Sequence, residues 1–139
     1  MMASFLLDTN VLSEIIRPQP SDSVLSFLST SEDLWLSVVA LHEISYGATR
    51  LSDHDRQIRL EAWLQSLKVQ YKGRIIDVDE TIAETAGRLR GYGAARGRVL
   101  APLDSLIAAT AMTRSHVLAT RNIRDFDYLN MDLCDPWTP

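Results

Sequence analysis

Phe5-Leu6-Leu7-Asp8-Thr9-Asn10 runs three apolar residues into a carboxylate, and Val11-Leu12-Ser13-Glu14-Ile15-Ile16 follows at once. A short apolar run bounded by polar residues reads as a buried strand, and apolar pairs at 11/12 and 15/16 read as a helix. Asp8 therefore stands at the carboxyl end of a first strand, where open α/β sheets place their ligands. Asp8 and Asn10 are also good helix N-caps, so this stretch alone does not separate a ligand from a cap.

Outward from it, strands and helices alternate. Arg17-Pro18-Gln19-Pro20 stops the first helix. Ser21 caps a second, whose face is Val24, Leu25 and Leu28. Leu34 to Val39 is a second strand, followed by a helix carrying Leu41, Ile44, Ala48 and Leu51. Ser52-Asp53-His54-Asp55 breaks that helix, and residues 56–68 make another. Ile75 to Asp79 is a third strand. A helix over 80–96 then surrounds Ile82, Ala86 and Leu89. Pro102 opens a helix to Met112, with Ile107-Ala108-Ala109-Thr110-Ala111 nearly all apolar or small, as in a helix buried on most sides. His116 to Thr120 is a fourth strand and Met131 to Cys134 a short fifth. This order predicts a three-layer α/β/α fold with a mostly parallel central sheet.

The chain of 139 residues reads as one domain, 1–139, without repeat or linker. Its 46% hydrophobic and 23% charged content is that of a globular protein. One cysteine, Cys134, allows neither an internal disulfide nor a thiol-rich metal site and suits a reducing cytoplasm. No basic leader opens the chain, and no apolar run approaches the ~18 residues of a membrane span, so a cytoplasmic protein is expected. The net charge of −4 argues weakly against nonspecific nucleic-acid binding. Yet all the cations but Lys68 and Lys72 are arginine, the residue suited to bidentate phosphate contacts.

In a parallel sheet several acids fall on the edge that Asp8 occupies. Glu43 is early in the helix after strand two, with Ala40 and Gly47 beside it on the helix. Asp104 lies in the first turn of the most buried helix, whose dipole favours its ionised form. Asn122 and Asp125 follow strand four. Ionised carboxylates crowded together repel one another unless a cation joins them. All-oxygen ligands select Mg²⁺ or Mn²⁺ over zinc, and such a site suits phosphodiester hydrolysis.

Other chemistries find little support. His42-Glu43 lacks the second histidine of a zinc-protease helix, since Tyr46 stands there. Neither a phosphate-binding Gly-rich loop ending in lysine nor a nucleophile elbow is present. Asn10 stands where an aspartate-nucleophile phosphatase needs a second aspartate, and a glutamate on a helix fits a receiver domain poorly.

Four stretches carry a family resemblance: Leu6 to Val11, Leu41 to Gly47, Leu103 to Ala111, and Ala119 to Phe126. In this order they resemble the four motifs of PIN-domain ribonucleases, above all the VapC and FitB toxins of bacterial toxin–antitoxin pairs. The likeness extends over essentially the whole chain, through Arg17-Pro18-Gln19-Pro20 and Asp135-Pro136-Trp137. It implies a Mg²⁺-dependent endoribonuclease, usually a homodimer, silenced by a cognate antitoxin that binds its active site. By motif, Asp8, Glu43 and Asp104 are the metal-site acids, with Asn122 and Asp125 completing the catalytic set. Asn122 departs from the pattern, since many members have a fourth acid there. A PIN-fold module that binds antitoxin and nucleic acid without turnover is the alternative that Asn122 favours. Arg121 and Arg124, with Arg96 and Arg98 as further candidates, are expected to steer RNA phosphates. Val24, Phe27, Leu28 and Trp63 look surplus to one small core and are expected to form the dimer face. Trp35, Trp63 and Trp137 read as core or interface anchors.

Overall fold

β1, Ser4–Leu7, is flanked on both sides by other strands, and this decides its composition. The computed structural model describes residues 2–138. Five strands lie in the order β3-β2-β1-β4-β5, with β2 at Asp33–Ser37, β3 at Ile75–Ile76, β4 at Val117–Ala119 and β5 at Leu133–Cys134. Every pairing is parallel. A central parallel strand is covered on both faces, so its side chains need not alternate with polar ones. Leu6 and Leu7 are both buried, and they point to opposite sides.

The two sides are two cores. Leu6, beside Leu118 in register, packs with Ile82 and Ala86 of α5 (Glu80–Ala94) and Ile107 and Ala108 of α6 (Pro102–Thr113). Leu7, beside Ala119, packs on the other side. There it meets Val11 and Leu12 of α1 (Thr9–Glu14), Val24 of α2 (Asp22–Thr30) and Leu67 of α4 (His54–Gln70). α3 (Val38–Thr49) gives Val39 to the first core and Ala40 and Ile44 to the second. These are the three layers expected. A cavity left by cutting Leu6 or Leu7 to alanine costs about 2–5 kcal/mol at such sites.

Caps set boundaries that side-chain preference alone misplaces. Val38 and Val39 are β-formers, yet β2 ends at Ser37, whose Oγ accepts the Val39 N–H at 3.0 Å and starts α3. β3 is two residues long and not five, because Asp79 turns the chain into α5 by accepting the Ile82 N–H at 2.8 Å. Pro102 occupies the first turn of α6 as predicted, and Asp53 caps α4. One residue of the expected dimer face is corrected, and the other three are half-buried. Val24 is wholly buried, and Phe27, Leu28 and Trp63 pack against the second core of their own chain. The large apolar side chains left exposed include Ile15, Ile16, Leu25, Tyr46 and Ile58.

From β1 the chain moves outward to β2 and β3, then returns across β1 to β4 and β5. The order reverses between β1 and β4, and at such a reversal the carboxyl ends of the strands diverge into a crevice. Asp8 closes one strand there and Thr120 the other.

Candidate active site

Asp8 continues the sheet by one bond, its N–H donating to Ala119 O at 2.9 Å. The residue is 5% exposed. Oδ1 accepts the Thr9 N–H and Oδ2 the Thr120 hydroxyl, both at 2.8 Å. Asp8 is thus the N-cap of α1, as its type allows, and a buried acid at the switch point as well. The wholly buried Thr120 also accepts the Asn122 N–H at 3.0 Å, while Asn10 accepts the Arg121 N–H at 3.3 Å. One network of short polar side chains therefore joins the end of β1 to the start of α7, Ile123–Phe126.

Glu43 comes in from α3, one Oε held by the Thr9 hydroxyl at 2.7 Å. Asp104 sits in the first turn of α6 and is half-buried. Asn122 is at the N-cap position of α7 but caps nothing with its side chain, and Asp125 follows in that helix's first turn. Both are exposed.

The acids feel one another. Burial pushes the Asp8 carboxyl above its ordinary range, further than the Thr120 and Thr9 hydrogen bonds pull it back, and the charges of Glu43 and Asp125 add to the rise. Asp104 is pushed up to about 6 by burial first, then by Asp8, Glu43 and Asp125. The helix dipole expected to favour its ionised form is outweighed. Four carboxylates from α3, α6, α7 and the end of β1 thus share one electrostatic neighbourhood. Among the described residues no group of three or more His, Cys, Asp or Glu is drawn tight enough to cage a metal unaided. A Mg²⁺ ion keeps several waters and needs one or two carboxylates, so an all-oxygen acid group with unrelieved negative charge suits it.

A cleft of about 440 Å³ opens beside the acids, lined by Arg121, Asn122, Ile123, Arg124, Asp125 and Asp135. Arg121 lies with its guanidinium 4.9 Å from the Trp137 ring. Arg121 and Arg124 are exposed beside this cleft. Arg96 and Arg98 are placed otherwise: Arg96 lies 3.4 Å over Tyr92, and Arg98 donates to Arg124 O at 2.8 Å. Sequence reasoning missed Thr9, Thr120 and the bridging role of Asn10. Their only signal is adjacency to an acid or a strand end. Glu14, buried at 6% exposure, is an acid with a structural duty, accepting the Ser21 N–H at 2.8 Å and pairing with Arg17 at 3.6 Å.

Known proteins share this fold. The PIN domain family profile matches residues 5–130. Toxin FitB of Neisseria gonorrhoeae is 36% identical over 135 residues, covering 95% of this chain and 97% of its own. A tRNA(fMet)-specific endonuclease VapC of Shigella flexneri is 28% identical, over 99% and 100%. Among solved structures, FitAcB from Neisseria gonorrhoeae superposes with a TM-score of 0.90 at 34% identity, over 97% and 99% of the two chains. DNA-bound VapBC from Salmonella typhimurium gives 0.79 at 25%, over 97% and 99%.

Proposed function

The chain belongs to the PIN domain family, and from that premise we propose that it is a Mg²⁺-dependent endoribonuclease, the toxin of a toxin–antitoxin pair. One observation carries the reading: Thr9 bridges Asp8 and Glu43 at the crevice between β1 and β4, and both acids, with Asp125, bear on Asp104. Asp8, Asp104 and Glu43 would hold the cation, with Mn²⁺ as a substitute. Bound there, it supplies a water of lowered pKa and offsets charge on the phosphate. Thr9 orients Glu43, and Glu43 in turn positions the attacking water. Arg121 and Arg124 face the cleft where the substrate phosphates would lie. Single-stranded or looped RNA fits such a site, because its backbone and unpaired bases are accessible.

Relatives that carry ribonuclease and endonuclease names support turnover over a binding module. The solved relatives include toxin–antitoxin complexes, which supports a cognate antitoxin as partner. An antitoxin arginine would fork onto two of the carboxylates and replace the cation's charge. Raising Mg²⁺ should then relieve inhibition, and inhibition indifferent both to Mg²⁺ and to loss of that arginine would count against the idea. A homodimer belongs to the same reading, supported by the exposed Ile15, Ile16, Leu25 and Ile58 beside the half-buried Phe27, Leu28 and Trp63. Sedimentation at tens of micromolar tests it, and a monomer there would end it. The activity itself is tested by incubating the protein with mixed RNA and Mg²⁺, with and without chelator. Cleavage that the chelator abolishes is expected; none, or cleavage indifferent to the chelator, overturns the reading.

A further inference from the structure

Arg98 lies in the turn that leads from α5 into α6, shortly before Asp104. Its guanidinium spends its contacts on one neighbouring segment. It donates to Arg124 O at 2.8 Å, lies 3.7 Å from an Asp127 carboxylate oxygen, and stacks 4.1 Å over the Tyr128 ring. The Arg98 backbone is fixed from the opposite side, its N–H donating to Gly93 O at 2.9 Å. Gly93 is buried, and a Cβ there would come within 3.0 Å of the Tyr128 hydroxyl and 3.1 Å of Arg98 O. Leu100, two residues on, is sunk in the first core. The approach to Asp104 and the helix that carries Asp125 are thereby joined through one side chain.

That junction has a job to do. Asp125 rides on α7, a single turn of helix that Phe126 anchors in the first core, and Arg98 ties that turn to the segment leading to Asp104 through Arg124 O. An exposed ion pair alone holds little, but a guanidinium fixed at once by a carbonyl, a carboxylate and a ring has one orientation. We infer that Arg98 is a positioning residue, setting the spacing of Asp104 and Asp125 for a shared cation, and is not an RNA contact. This rests on the reading of the crevice as a cation site.

Arg98→Met keeps the stem over Tyr128 and removes the guanidinium, Arg98→Lys keeps the charge without the fork, and Gly93→Ala crowds the junction with every charge intact. Arg88→Ala removes the same charge from an exposed helix face, where Arg88 meets only Glu84 at 3.7 Å, and serves as control. Mn²⁺ titration by calorimetry and RNA cleavage resolved into kcat and KM are the readouts, with melting curves to certify folding. Arg98→Met and Gly93→Ala should each weaken Mn²⁺ binding by about tenfold, the scale of losing a ligand's support. Both should lower kcat with KM and its salt dependence unchanged. Arg98→Lys should fall between them and wild type, and Arg88→Ala should match wild type. A rise in KM with a salt slope reduced by about one, at wild-type Mn²⁺ affinity, would mark Arg98 as a phosphate contact and overturn the inference. If Arg98→Met fails to fold, Arg98→Lys and Gly93→Ala decide: Mn²⁺ affinity unchanged in both ends the inference. Should the wild-type protein neither bind Mn²⁺ nor cleave, the cation-site reading fails instead.

Discussion

Asp8 and Asp33 stand at opposite edges of the same sheet, one ending β1 and the other opening β2. Each carboxylate accepts a hydroxyl and an N–H: Thr120 and Thr9 for Asp8, Ser4 and the Trp35 indole for Asp33. Their pKa values nevertheless move in opposite directions. Asp33 falls, chiefly through the Ser4 hydroxyl, with the positive charge of His116 and Arg74 helping. Asp8 rises because burial outweighs its donors and Glu43 and Asp125 add like charge. Counting donors does not settle the state of an acid; what else surrounds it does. The amino edge holds a carboxylate content to be ionised, and the carboxyl edge holds several that await a positive charge.

The largest effect should come from Asp8→Asn and Asp104→Asn. Each should cut metal-dependent cleavage roughly a hundredfold or more, beyond the loss typical of a ligand's supporting partner. The metal-free protein should lose nothing by it. With a folded pKa of about 6 against 3.8 unfolded, Asp104 contributes stability fully below about pH 4 and loses it as pH rises through 6. Asp104→Asn should therefore leave the melting temperature at pH 7.5 equal or higher, as calorimetric scans would record. Near-normal cleavage by either variant would show that the site is misplaced.

Protons should compete with the metal next. Asp104 must be ionised to ligate, so Mn²⁺ affinity should drop by up to about tenfold per pH unit below 6. Titrations at pH 5 and pH 7.5 measure this, and equal affinities would contradict it.

A smaller difference is expected within the last motif. Asn122 brings no charge, and Asp125, whose charge reaches Asp8 and Asp104, supplies it instead. Asp125→Asn should lower activity more than Asn122→Ala, and Asn122→Asp should tighten Mn²⁺. Two equally tight Mn²⁺ sites in the wild type, indifferent to Asp125→Asn, would refute this arrangement.

Asp33→Asn completes the contrast with the smallest change. Its lowered pKa gives stability that is present above about pH 4 and lost as pH falls through the folded value. The variant should melt slightly lower than wild type at pH 7, cleave RNA normally, and lose its disadvantage in acid. A defect in cleavage would mean that the two edges are not as separate as they look.

Much of this was legible in the order of residues. An apolar run that stops at Asp8, and acids recurring later in the chain, mark the sheet edge where those acids gather, because strand ends in a parallel sheet face one way. Boundaries were less legible, since Ser37 and Asp79 recruit β-branched neighbours into helices through single hydrogen bonds. The threonines were hidden for another reason: Thr120 serves Asp8 from 112 residues away and Thr9 serves Glu43 from 34. Val24 was misassigned because an apolar helix face does not say which surface will cover it. A basic side chain likewise gives no sign that it will meet a backbone carbonyl, as Arg98 meets Arg124 O.

The register of β1 beside β4 also fixes when the crevice comes into being. Phe5 lies against Val117 and Leu7 against Ala119, so the two walls meet across nearly the whole chain. Closing so long a loop costs entropy that no local contact repays, which makes such pairings late events in folding. A nascent chain that has not yet reached Val117 already carries Asp8, Glu43 and Asp104 but has neither Thr120 nor Asp125. The crevice thus cannot close until β4 and the residues after it have been made and paired with β1.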